Sequence, residues 1–139
     1  MTIAYLTRAV EFTATHRICR VDWTRERNAA TFGRAAEDHR HRYLCRVTVK
    51  GPLEPAQGGV VNLSALDALL EREVTARFDG RHINQDIPEF ADGGRLPTGE
   101  ALAVYLWERL ASGLPPGVTL HAVRIQEGAH LYSEYFGDA

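Results

Sequence analysis

HRHRYLCRVTVK, residues 39–50, decides the fold, because its side chains alternate with a period of two. His39, His41, Tyr43, Cys45, Val47 and Val49 fall on one side, and Arg40, Arg42, Leu44, Arg46, Thr48 and Lys50 on the other. The pattern predicts a half-buried strand whose two histidines face the apolar side. Toward the N-terminus, residues 3–16 repeat it: Leu6, Val10, Phe12, Ala14 and His16 share a face opposite Tyr5, Thr7, Ala9 and Glu11. Two such strands with their apolar faces together gather His16, His39 and His41, and three imidazoles with an open fourth position are how catalytic zinc is often held. Satisfied core or surface histidines are the plainer alternative at this stage.

Residues 18–38 separate the strands and are polar, arginine-rich and too long for a tight hairpin, which predicts a functional loop over the site, mobile or ordered by a ligand. Between residues 17 and 46, Arg17, Arg20, Arg25, Arg27, Arg34, Arg40, Arg42 and Arg46 face only Asp22, Glu26, Glu37 and Asp38. Arginine forks suit phosphate or carboxylate ligands; a solvated basic loop is the alternative. With a total charge of −2 and no basic balance overall, nucleic acid is not an expected partner.

Downstream, GPLEPAQGG (51–59) breaks the chain before a helix capped by Asn62 or Ser64, with Leu63, Leu66, Leu70 and Val74 on one stripe and an end near Phe78. Residues 79–97 read as irregular. Thr98 starts a second helix, whose Leu102, Leu106 and Leu110 face a core until Gly113 and Pro115-Pro116 stop it. Strands at 118–127 and 130–136 follow. The order ββααββ predicts an α+β fold, a four-stranded antiparallel sheet with two helices on one face and open edges that invite assembly. In the third strand Glu127 shares a face with Val123 and Ile125. A carboxylate there needs a partner: an internal arginine, solvent at the strand end, or two N–H groups of an amino-pyrimidine edge.

The 139 residues, 45% hydrophobic and 24% charged, suit one domain over 1–139. No apolar run reaches 18 residues, and the N-terminus carries Arg8 and Glu11, so a cytoplasmic protein without a membrane span is expected. Cys19 and Cys45 form no C-x-x-C pair, and no disulfide is expected.

FTATHRI (12–18), FG (32–33), HRHRY (39–43), GGVVNL (58–63), FDGRHIN (78–84), PTGEALAVYLW (97–107) and IQE (125–127) together resemble, in order and spacing, the 6-pyruvoyl-tetrahydropterin synthase family, which includes the 6-carboxy-tetrahydropterin synthases of queuosine biosynthesis. The resemblance implies a T-fold (tunnelling fold): three protomers close a barrel, and two trimers stack into a homo-hexamer with sites between subunits. It also implies zinc (Zn2+) on His16, His39 and His41, and a pterin-like ligand anchored by Thr98, Glu100 and Glu127. For Thr98 and Glu100, helix capping and first-turn charge give a second, compatible role.

The departures from the family pattern concern its catalytic triad. Where the family places a cysteine base this chain has Ala35, and where a subgroup places a glutamate it has Ala36; Glu37 and Asp38 follow one or two places late. The family's Asp-His pair becomes Asp79-Gly80, with His82 two residues on. Cys45 lies four strand residues, about 13 Å, beyond His41 and cannot replace the thiol; Cys19, in the loop, is less excluded. Family enzymes are zinc-dependent lyases acting on 7,8-dihydroneopterin triphosphate. The resemblance therefore implies a synthase-like protein that keeps a pterin-binding pocket for a pterin- or purine-like ligand but has lost the parent reaction. The alternative is a zinc-dependent tetrahydropterin synthase-type lyase with a base relocated to Glu37, Asp38 or His82. A structural subunit with a vestigial pocket is a third reading.

Overall fold

The computed structural model describes residues 2–138. Strand β1 (Ile3–His16) pairs antiparallel with β2 (His39–Pro52), β2 with β3 (Thr119–Glu127), and β3 with β4 (Leu131–Tyr135), giving one sheet in the order β1-β2-β3-β4. Its register sets His16 opposite His39, Ala14 opposite His41, Phe12 opposite Tyr43, and Tyr43 opposite Glu127. Because side chains alternate across a strand, these residues all emerge on the same face. The expected partition holds: Arg42 turns to the other face, where its Nε lies 3.4 Å from Glu11.

Both long helices cover that same face. Helix α2 (Leu63–Leu70) starts where Asn62 Oδ1 accepts the Ala65 N–H at 3.0 Å, and runs through a π turn (Glu71–Thr75) into α3 (Ala76–Phe78), so the helical path ends at Phe78 as the sequence implies. Thr98 Oγ1 likewise accepts the Ala101 N–H at 3.1 Å and opens α5 (Gly99–Ala111). Leu66, Leu70, Val74 and Phe78 from the first path, with Leu102, Leu106 and Leu110 from α5, close over Phe12, Tyr43, Cys45, Val47 and Ile125. Each fully buried aliphatic or aromatic side chain of this set contributes about 1.5–3 kcal/mol relative to exposure.

Two segments are more regular than the sequence predicts. Residues 18–38 carry α1 (Arg25–Phe32), capped by Thr24, and a 3-10 turn at Gly33–Ala36. The helix lacks an apolar stripe, so periodicity misses it; it leans instead on Trp23 stacked over Phe32, with the Arg27 guanidinium 3.8 Å from the indole. Residues 79–97, expected to be irregular, include α4 (Ile83–Asp86) and a 3-10 turn at Pro88–Phe90, because Ile83, Ile87 and Phe90 are buried.

Candidate metal centre and ligand pocket

The end of β1 and the start of β2 build the centre. The rings of His16, His39 and His41 lie 4.4–5.2 Å apart by centroid, and each residue offers a ligand nitrogen within 4.8 Å of the others. Zinc–nitrogen bonds of about 2.0–2.1 Å in a tetrahedron need nitrogens roughly 3.4 Å apart, so a small inward adjustment suffices. Two of the rings are already oriented. His16 Nδ1 lies 2.8 Å from the Pro97 carbonyl and His39 Nδ1 lies 2.8 Å from that of Glu37; each Nδ1–H donates, leaving the Nε2 lone pair toward the cluster. The donor set therefore fits a borderline metal such as zinc.

Electrostatics favour the neutral imidazoles that a metal requires. Burial pushes His16 down to about 4, with the neighbouring His39 and His41 adding to the depression. Burial and His39 also lower His41. Tyr43 lies under the cluster with its hydroxyl 3.3 Å from His16, and burial, then the charge of Glu127, raises its phenol so that it stays protonated.

Glu127 closes the other side. Its carboxylate is 9% exposed and sits 3.8 Å from His16 Nε2 and 3.9 Å from His41 Nε2. Among the described residues no arginine pairs with it, so the internal-arginine reading is replaced by one in which it faces the histidines. Burial and then the Glu100 charge raise its carboxyl. A Cβ on Gly99 would lie 3.0 Å from Glu127 Oε2 and 2.9 Å from Ser133 Oγ, so glycine there lets the first turn of α5 approach the carboxylate. Glu100, beside it, accepts from Ser133 Oγ at 3.3 Å, and Thr98 caps the same turn.

The remaining sequence candidates gather one segment away. Asp79 Oδ1 accepts the Thr13 N–H at 2.9 Å, and Gly80 takes φ 73°, donating its N–H to Thr13 O at 2.7 Å; both tie a turn to β1. Ala35 accepts the Ile18 N–H at 2.7 Å through its carbonyl. Glu37 is exposed, 3.7 Å from Arg25. Asp38 Oδ1 and His82 Nε2 are 3.2 Å apart, and Arg17 joins them: its Nη1 lies 3.1 Å from Asp38 and 3.3 Å from His82, while its Nη2 grips both oxygens of Asp92. This four-residue network escapes sequence reasoning, since nothing marks Asp92 and its partners lie up to 75 residues apart. Cys45 is buried and its thiol is pushed up to about 12, which removes it as a base. Cys19, half-buried, lines a cavity of about 320 Å³ with Trp23, Ala36 and Glu37.

An antiparallel ββααββ sheet with its helices on one face defines a T-fold protein. The chain belongs to the 6-pyruvoyl tetrahydropterin synthase family, whose sequence pattern matches residues 5–138. The 6-pyruvoyl tetrahydrobiopterin synthase of Homo sapiens is 34% identical over 137 residues, spanning 97% of this chain and 92% of the human protein. That of Poecilia reticulata is 35% identical over 127 residues, 90% and 84% of the two chains. The solved structure of Caenorhabditis elegans 6-pyruvoyl tetrahydropterin synthase superposes with a TM-score of 0.90 at 28% identity, covering 99% of this chain and 98% of that one.

Proposed function

We propose that this chain holds a pterin-like ligand between the first turn of α5 and the end of β3, beside a zinc centre formed by His16, His39 and His41. The observation that carries the reading is the Glu127 carboxylate, largely enclosed beside the imidazoles and with no arginine partner among the described residues. A carboxylate so placed accepts paired N–H groups of a 2-amino-4-oxo edge, with Thr98 and Glu100 on the adjoining turn. Zinc bound there would act as a Lewis acid on a ligand oxygen.

The thiol-dependent parent reaction is closed to this chain in our reading. Ala35 carries no proton-transfer group, Asp79 is engaged by the Thr13 backbone, and Gly80 has no imidazole. Since each general acid–base group typically contributes about 10²–10⁴-fold, losing two leaves little of the parent rate. A second reading, a tetrahydropterin synthase-type lyase with a base at Glu37, Asp38 or His82, is favoured by the Asp38–His82 contact. We take the working form to be a single-domain protein over residues 1–139, assembled in the cytoplasm as a homo-hexamer, a dimer of trimers. Supporting assembly are the uncovered face of the sheet and the exposed Ile3, Tyr5 and Phe136.

Zinc-supplemented protein titrated with 7,8-dihydroneopterin triphosphate, with product masses and triphosphate release followed, tests the reading. Saturable binding that Glu127→Gln weakens by about tenfold or more supports the pocket; absence of binding at millimolar ligand removes it. Triphosphate release at tens of turnovers per minute removes the claim that the parent reaction is lost.

A further inference from the structure

The face of the sheet turned away from the helices is basic along its second strand. Arg40, Arg42, Arg46 and Lys50 of β2 and Arg124 of β3 share it with two carboxylates of the strands, Glu11 and Glu134. Both carboxylates are engaged. Glu11 lies 3.4 Å from Arg42, and Glu134 Oε2 accepts from Nε and Nη2 of Arg124 at 3.2 Å. Among the described residues the Arg46 side chain has no ion-pair or hydrogen-bond partner, although the register sets it directly opposite Arg124. Side chains so paired start about 4.5–5.5 Å apart at Cβ, and like charges there destabilise a sheet. Arg46 is exposed and Arg124 half-buried, so core packing does not offset that repulsion. An anion between them does.

A cavity of about 160 Å³ opens at this pair, lined by Thr7, Arg46, Thr48, Ala122, Arg124 and Glu134. Unused donors converge on it. The hydroxyls of Thr7 and Thr48 lie 2.7 Å apart, so one donates to the other and one O–H is left over. Arg124 is held in place by Glu134 and by the Tyr132 ring, whose centroid is 4.0 Å from the guanidinium carbon, yet only two of its five N–H donors are used. Ala122, opposite Thr48 beside a β-bulge, puts no more than a methyl group into the space.

We propose that this cavity binds a free phosphate-type oxyanion, held between the Arg46 and Arg124 guanidinium groups with a threonine hydroxyl as a further donor. Guanidinium forks match the oxygens of such an ion two at a time. The space is smaller than the roughly 300–1,000 Å³ of pockets that enclose whole organic ligands, which favours the ion itself. The site is separate from the histidine centre: Arg46 stands five residues past His41, on the opposite face of β2 and about 17 Å along the strand. It lies within one chain and does not rest on the pocket reading above. In the barrel proposed there this face lines the bore, which suits a small ion better than a macromolecule.

The experiment titrates the full chain with inorganic phosphate in a calorimeter, at constant ionic strength set with chloride. Saturable binding in the millimolar range or tighter is expected, and Arg46→Gln should weaken it about tenfold or more. Lys50→Gln removes the same charge from the same face about 13 Å along the strand, and is expected to change the affinity less than about twofold. Equal weakening by the two variants overturns the site in favour of a diffuse basic surface, and absence of saturable binding overturns it outright. Acetate and glycerol phosphate, titrated in the same way, test the ligand class. Acetate should bind about tenfold more weakly than phosphate, because its two oxygens cannot satisfy both forks at once. Acetate binding as tightly as phosphate, or glycerol phosphate binding more tightly than the free ion, overturns the assignment. A readout independent of any variant comes from ¹⁵N spectra of the wild type. There the Arg46 Nε resonance is expected to shift with phosphate along the calorimetric isotherm; an unmoved resonance overturns the proposal.

Discussion

The two halves of the site are built differently. His16, His39, His41 and Glu127 stand at strand ends, where the β1–β2–β3 register fixes their spacing. Arg17, Asp38, His82 and Asp92 stand in turns and hold one another only through charge-assisted hydrogen bonds. The resemblance implies the strand-built half residue by residue, whereas beside the turn-built half it implies a cysteine and a histidine where this chain carries Ala35 and Gly80. Sheet register resists change because a one-residue slip sends every side chain to the opposite face. Turns carry no such constraint, and chemistry can be lost or rebuilt there without disturbing the core.

The sharpest way to break this comparison is to remove a ligand from the strand-built half. Structural zinc sites release roughly 10–16 kcal/mol over four ligands, so one imidazole carries roughly 2.5–4 kcal/mol. His39→Ala, half-buried and at a strand end, should therefore weaken zinc binding several hundredfold in a chelator competition while leaving the circular dichroism unchanged. A zinc affinity within threefold of the wild type would mean that the cluster is not a metal centre.

Next in size is the response of the metal-free protein to acid. Burial favours neutral His16, so between about 6.5 and about 4 the unfolded chain binds more protons than the native one. The stability due to His16 is complete above about pH 6.5, declines as pH falls, and levels off below about 4. It amounts to about 3 kcal/mol for a ring this buried. Urea unfolding of the wild type and His16→Asn at several pH values should show the wild type losing this extra stability over that window. Parallel curves would show that His16 is not held neutral by the fold.

The strand-built half was legible because period-two alternation fixes both burial and proximity: once 3–16 and 39–50 read as neighbouring strands, His16, His39 and His41 had to meet. Glu127 was legible for the same reason, although the identity of its neighbours was not, since face does not specify distance. The helix over 25–32 was hidden because Trp23, Phe32 and Arg27 stabilise it by stacking rather than by an amphipathic stripe. The Arg17 network was hidden because an ion pair between residues 17 and 92 leaves no periodic trace. His82 stands two residues past Gly80 in sequence, and its link to Asp38 is visible only in three dimensions.

Arg17→Met sharpens the comparison from the turn side. Its guanidinium is 20% exposed and bridges two carboxylates that are about half exposed, so its loss should cost about 1–2 kcal/mol in urea unfolding, more than an ordinary surface pair. Zinc affinity should change by less than threefold, because the backbone carbonyls of Pro97 and Glu37, and not the Arg17 side chain, accept from the ligand rings. A large loss of zinc affinity would mean that the two halves are one mechanical unit.

The smallest expected effect falls at Thr98, beside the strand-built half. Its hydroxyl caps α5 by accepting the Ala101 N–H, and its neighbour Gly99 adjoins Glu127. Thr98→Ala should cost about 1 kcal/mol through the lost cap, and Thr98→Ser should restore it. Ligand binding separates the two roles of this residue. If the hydroxyl only caps the helix, a pterin should bind both variants in proportion to their folded fraction. If Thr98 also anchors the ligand, Thr98→Ala weakens binding beyond that fraction while Thr98→Ser does not. The helix start then belongs with Glu127 to the register-fixed half, whose geometry survives when the chemistry of the turns is rewritten.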